Sequence, residues 1–450
     1  MHQRLSVLYF LQFAIWGCYL SCFGQLLGAG GLGTDIQWFY AAVGIVSLLT
    51  PSLMGHFADR FVPSLRLLGL CHLCASIFMM GAWLYASTVP DYSFWPFFLI
   101  YLGFLAFYMP TMALANTTTF ALLKLNGQKP VDKFPIIRVW GTLGFVAAMW
   151  FVNSAYIFDG TLGFTLDDLN PASKFRFQYT PMQLFSSSIL GLLTALYTLT
   201  LPVTPVPHPG KSSSISDIFG FKAFKLFKLP EVRTFLIFAV FIGVCLQISN
   251  GYAIPFINHF MAFEEYAGSL AAGNATMLFS LSQISEAAFI LITGLAMKRI
   301  GFKWVIFCAL LAWCLRFLFL GLGNPGNGIW WLVFSMIIYG VAFNFFNIAG
   351  HIYMDQKSDN TTRGFGQGLL MMMSNGLGAT GGMIAAGAII NNYCHWETIP
   401  SPTGGLIRLF MGDWLIPWVI FAGYALLIGL LFIFFFRLSK KQKTNVSLAI

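Results

Sequence analysis

The sequence predicts an all-α integral membrane protein of twelve transmembrane helices arranged as two six-helix bundles related by a pseudo-twofold. Three observations carry that prediction. Of the 450 residues, 58% are hydrophobic and only 9% are charged, with a mean hydropathy of +0.75, whereas soluble domains carry about 25% charged residues. The apolar residues fall into runs of about 20, the length that crosses a bilayer as a helix. The basic residues alternate from loop to loop in the way that orients membrane proteins.

The spans are read at 6–28, 36–57, 66–87, 94–122, 134–157, 181–202, 234–258, 270–297, 302–322, 329–353, 365–391 and 414–437. The run over 66–122 is divided only by Val89-Pro90-Asp91. The first run starts just after Arg4, is long and lacks a small-residue cleavage site, so it reads as a first span and not as a removed signal peptide. With a cytoplasmic N-terminus, the inside segments hold 20 Lys and Arg residues and the outside segments hold three, Lys174, Arg176 and Arg408. Arg138 and Arg316 fall within spans. One missed helix would invert every later loop and erase this bias, so the asymmetry supports the count as well as the orientation, with both termini cytoplasmic.

The +9 net charge is spread singly between apolar runs, which fits membrane orientation and not a phosphate-binding stripe for nucleic acid. Seven of the eight cysteines lie in apolar runs and read as small core residues. Cys71-His72-Leu73-Cys74 has no second pair to complete a tetrahedral metal site, and no metal or cofactor is expected. No nucleophile set or acid–base cluster suggests an enzyme.

The longest inside connection, 203–233, separates an N-terminal bundle at 1–202 from a C-terminal bundle and basic tail at 234–450. It opens with Pro205, Pro207 and Pro209 and then interleaves aromatics with lysines from Asp217 to Lys228, the pattern of an amphipathic helix on the inner membrane surface. An echo links the halves. Gly55, Asp59 and Arg60 follow span two, and Gly294, Lys298 and Arg299 follow span eight, each Gly five residues before its Arg. Repeated six-helix halves are a transporter architecture. The charged residues of the two loops read as inside-gate contacts.

Glu286 is the one carboxylate deep in a long apolar run. A charge at that depth costs from about 3 to more than 10 kcal/mol unless it faces protein or water, so it marks a functional site by default. Gln283 stands one helical turn before it, Gln247 and Asn250 share the same i, i+3 spacing, and Arg138, Thr142 and Phe145 stand at i, i+4 and i+7 on one face. Amides in lipid must turn to the bundle interior or a wet cavity. There they can bond neighbouring helices, or supply the donors and acceptors that a sugar and a base require. Phe145 and Phe343 suit stacking on a flat heterocycle, or simple apolar packing. Arg316, in mid-span nine, reads as a structural pairing. His72 and His351 read as satisfied polar residues, not proton relays.

The two glycine–arginine loops resemble the cytoplasmic signature of the major facilitator superfamily. Phe134-Pro-Ile-Ile-Arg138-Val-Trp-Gly-Thr142-Leu-Gly-Phe145, Leu246-Gln247-Ile-Ser-Asn250, Ser282-Gln283-Ile-Ser-Glu286 and Tyr339-Gly-Val-Ala-Phe343-Asn344-Phe-Phe-Asn347 are similar to segments of its bacterial nucleoside:proton symporter family. Leu11-Gln-Phe-Ala-Ile-Trp16 and Phe107-Tyr-Met-Pro110-Thr follow the same family, so the matches run in order along nearly the whole chain. The resemblance implies nucleoside import by proton symport across a bacterial inner membrane, by a monomer working through alternating access. It implies a substrate site of Arg138, Thr142, Phe145, Gln247, Asn250, Gln283, Glu286, Phe343 and Asn344. The family carries an aspartate where this chain has Asn344. That leaves Glu286 as the expected proton carrier, with facilitation lacking tight coupling, or another small polar solute, as the alternative.

Overall fold

The computed structural model describes residues 1–203, 226–266, 268–357, 363–400 and 406–437. Its helices are α1 (His2–Tyr19), α2 (Phe23–Ala29), α3 (Ile36–Arg60), α4 (Ser64–Thr88), α5 (Phe94–Leu125), α6 (Pro130–Ser154), α7 (Met182–Thr198), α8 (Pro230–Asn258), α9 (Ala275–Leu322), α10 (Ile329–Lys357), α11 (Arg363–Met371), α12 (Ala379–Tyr393) and α13 (Leu415–Phe435). Among the described residues, ten stretches are long and apolar enough to cross a membrane, and Met182–Thr198 and Ala275–Ile290 are shorter apolar helices. Helices dominate because a chain in lipid must satisfy its own backbone hydrogen bonds.

Several boundaries follow local chemistry. The break at Val89-Pro90-Asp91 falls between α4 and α5, where proline removes a donor. Spans eight and nine run on as one element, α9, turned at Gly301, whose φ of 77° and ψ of 165° favour a residue without a Cβ. Span one divides into α1 and α2, and span eleven into α11, a π-helical turn at Met372–Gly378, and α12. Two hairpins were not expected from the apolar pattern. Strand β1 (Ala155–Phe158) pairs with β2 (Thr161–Phe164) across Asp159-Gly160, both at positive φ, which is a two-residue turn suited to a twisted ribbon. Strand β3 (Cys394–Pro400) pairs with β4 (Leu406–Gly412). The surface helix expected over Asp217–Lys228 falls, up to residue 225, outside the described residues.

The chain divides into two compact units. The first holds Met1–Phe219, Asn250–Ser280 and His395–Met411, and the second holds Gly220–Ser249, Leu281–Cys394 and Gly412–Ile450. In the first, α1 packs on α6 and α7, and α4 on α5 and α7. Backbones of α1 and α6 nearly touch. A Cβ on Gly17 would meet the Phe145 carbonyl oxygen at 2.3 Å, and one on Gly144 would meet that of Phe10 at 2.1 Å. In the second unit α8 and span eleven meet the same way. A Cβ on Gly378 would lie 2.3 Å from the Val240 carbonyl oxygen, and one on Gly243 would lie 2.1 Å from that of Ser374. Small residues are used at such crossings because, in lipid, close van der Waals packing holds helices together. First-with-fifth pairing thus recurs in seventh-with-eleventh, consistent with an internal repeat.

Candidate functional site

Within the first unit, α6 carries Arg138, Thr142 and Phe145. The Arg138 guanidinium lies over the Phe13 ring of α1, 4.0 Å from its centroid, a cation–π contact of the kind that steadies a charge inside a bundle. Phe145 is buried and Thr142 is half-buried. The α1–α6 backbone contact at Gly144 fixes the face from which these side chains project. Asn250, grouped with this unit, is half-buried, and its side chain bonds no other described residue.

The second unit gathers the acid and its neighbours. Glu286 and Gln283 are half-buried on α9. The Tyr339 side chain of α10 lies close to Gln283 and within electrostatic reach of both Glu286 and Arg316. Tyr339 stacks on Phe343 with centroids 5.6 Å apart and planes at 11°. Asn344 is buried, and its Nδ2 donates to the Glu286 carbonyl oxygen at 2.6 Å. An ionised aspartate could not make that bond, since it offers only acceptors. Gln247 on α8 is half-buried, and its side chain bonds no other described residue. An amide in a span without a protein partner must meet water or a ligand.

Arg316 stands behind this wall. It is fully buried, and it donates to Ser249 Oγ at 2.8 Å, Ser282 Oγ at 3.2 Å and the Ser335 carbonyl oxygen at 2.6 Å. Its guanidinium lies 4.6 Å from the Tyr339 ring centroid. One side chain therefore ties α8, both arms of this wall and the tyrosine that touches Gln283. His72 is also buried and bonds Gln12 at 2.6 Å, which in turn donates to Thr111 at 2.7 Å, a packing network within the first bundle.

Of the six gate candidates, Gly55 and Gly294 have nothing within 4 Å of an added Cβ, and Lys298 and Arg299 are exposed. Asp59 and Arg60 end α3; their side chains lie outside the described set.

Two features escaped the sequence reading. One is a polar knot in the first unit. Arg176, fully buried, pairs with Asp168 and donates to Asn274 Oδ1 at 2.8 Å, while Asn153 donates to the same oxygen at 2.6 Å. Gln178 and Tyr179 donate to the Gly273 carbonyl oxygen at 2.9 and 2.7 Å. Arg176 had counted only as an outside charge. The other is a small pocket in the second unit, lined by Leu246, Trp313, Phe343, Phe346, Asn347 and Asn375 among others. Asn375 was visible as an amide in the apolar run Met371-Met-Met-Ser-Asn375, a signal of the kind that singled out Gln247.

A family model described as "Nucleoside H+ symporter" matches residues 1–441. The xanthosine permease of Escherichia coli (strain K12) is 35% identical over 439 residues, 97% of this chain and 96% of that protein. The nucleoside permease NupG of the same organism is 33% identical over 437 residues, 96% of this chain and 95% of that protein. The crystal structure of the nucleoside transporter NupG superposes with a TM-score of 0.80 at 32% identity, covering 97% of this chain and 99% of that one. With a whole-length family match and a shared major facilitator architecture, this chain belongs to the nucleoside H+ symporter family of membrane transporters.

Proposed function

We propose that this protein imports nucleosides across the bacterial cytoplasmic membrane together with protons, as a monomer with both termini in the cytoplasm. Arg138, Thr142, Phe145, Gln247, Asn250, Gln283, Glu286, Phe343 and Asn344 are the residues to which we assign nucleoside recognition, and Glu286 also carries the proton. The observation that most supports the reading is the wall of the second unit, where Glu286, Gln283, Tyr339 and Phe343 stand together. It combines a titratable group, hydrogen-bonding groups and an aromatic face. Protonation of Glu286 removes a charge from a poorly solvated place, so the proton and the nucleoside each favour the same state. Coupling requires only that differential affinity. Gly55, Asp59, Arg60, Gly294, Lys298 and Arg299 then serve the inside gate during alternating access.

A second reading, facilitation without tight coupling, is favoured by Asn344, which places an amide where the resemblance to the family implies an acid. Counterflow of labelled uridine and adenosine in proteoliposomes tests transport itself. Exchange above that of protein-free vesicles is expected, and none for either nucleoside would overturn the assignment. Adding an inward proton gradient separates the readings, since symport gives uphill accumulation and facilitation gives equilibration.

A further inference from the structure

Of the residues matched to the family site, Phe343 alone lines the pocket of the second unit, which therefore extends beyond that set. Its amides are Asn347 on α10 and Asn375 on the π-helical turn. Both are half-buried, and neither side chain bonds another described residue. Such an amide inside a span, accessible but without a protein partner, is left to bond water or a ligand in the cavity. The neighbouring Ser374 is different: its hydroxyl is satisfied by the Leu370 carbonyl oxygen at 2.9 Å.

The backbone shows how Asn375 comes to lie there. The Ala379 N–H bonds the Ser374 carbonyl oxygen, a five-residue step that fits one extra residue into the turn. Gly243 presses on Ser374, and Gly378 on Val240, so the wide turn is clamped against α8 on both sides of Asn375. Wide turns of this kind are frequent at functional sites. The pocket is far too small for a whole nucleoside, so only an edge group of a bound ligand would reach it. Its aromatic lining of Phe343 and Phe346 suits the face of a heterocycle. A carboxamide offers one acceptor and two donors, the complement of a base edge.

From this juxtaposition we propose that Asn347 and Asn375 read the polar edge of the nucleobase, and so set base preference, while the ring lies against Phe343. The proposal rests on the reading of the chain as a nucleoside transporter. Its test is competition against labelled uridine in counterflow, using uridine itself and 1-phenyl-β-D-ribofuranose, which keeps the sugar and a flat ring but has no polar edge. In Asn375→Leu and Asn347→Leu, uridine should bind about tenfold or more weakly, the order of loss seen when an edge-reading amide is removed. The phenyl riboside should be unchanged, and the melting temperature of the purified variants unchanged or raised, because leucine suits the span.

Equal weakening of both ligands, a fall in melting temperature alongside the loss, or no effect on uridine would each overturn the assignment. Asn375→Ser and Asn347→Ser, which keep a polar atom with shorter reach, should fall between wild type and the leucine variants. They carry the test if the larger side chains block insertion. Absence of uridine exchange by the wild type would overturn the transport reading and this inference with it. Normal wild-type exchange with unaltered variants would overturn this inference alone.

Discussion

Glu286 shows what one residue contributes when its surroundings are known. It is held on α9 with its own carbonyl accepting from Asn344, so its backbone is fixed while its carboxyl stays half-buried beside Tyr339. Glu286→Gln keeps the shape and the hydrogen bonding but cannot titrate. Gradient-driven nucleoside accumulation should fall to the equilibrium level while counterflow persists, and undiminished uphill uptake would exclude Glu286 as the proton carrier. Asp168 is a titrating residue of another kind, in the loop before α7. Burial pushes its carboxyl above the ordinary carboxylate range, and the adjacent Arg176 guanidinium pulls it back only in part. A carboxyl raised in the folded state stabilises the fold most below its unfolded value and loses that contribution as pH rises through the raised value. Acidification across that window should therefore raise the melting temperature of the wild type relative to Asp168→Asn, which has no proton to take up. Parallel pH profiles for the two proteins would contradict this.

At the scale of elements, helix contacts explain which glycines matter. Gly378 faces the Val240 backbone at a distance no Cβ tolerates, whereas Gly294 has open space around it. Overpacking costs about 1–3 kcal/mol even where side chains can yield, and a helix backbone yields less. Gly378→Leu should thus separate α8 from span eleven, lowering both thermal stability and uptake. Gly294→Ala should leave melting unchanged and slow transport if its loop closes against other groups in another state. Melting curves and initial uptake rates on the same preparations check both, and a stable Gly378→Leu protein would show that the crossing is looser than its geometry. Much at this scale was legible. Val89-Pro90-Asp91 divides α4 from α5 as its chemistry demands. The hairpin at Asp159-Gly160 carried a turn signal, but the apolar Tyr156-Ile-Phe beside it read as more of span five. The π turn carried no signal at all, because Met-Met-Met-Ser-Asn is as compatible with a regular helix. Its width shows only in the packing of Gly243 and Gly378.

Across the whole molecule, hydropathy and charge alternation are strong because the bilayer imposes them on every span, and among the described residues the twelve expected spans fall on ten long apolar stretches and two shorter helices. The grouping of side chains was legible only in part. Spacing alone put Gln283 with Glu286, but the role of Arg316 in joining Ser249, Ser282 and Ser335 depends on three helices converging. The knot around Arg176 likewise joins residues about 100 positions apart. The expected orientation, with both termini inside, is open to test by reporters placed at two glycine turns. Alkaline phosphatase, active only outside the cytoplasm, should work when inserted at Gly160 and fail at Gly127, and a fluorescent protein that matures only in the cytoplasm should give the reverse. Inverted activities would turn the two glycine–arginine loops outward, and the assignment of Asp59, Arg60, Lys298 and Arg299 to an inside gate would fall with the orientation.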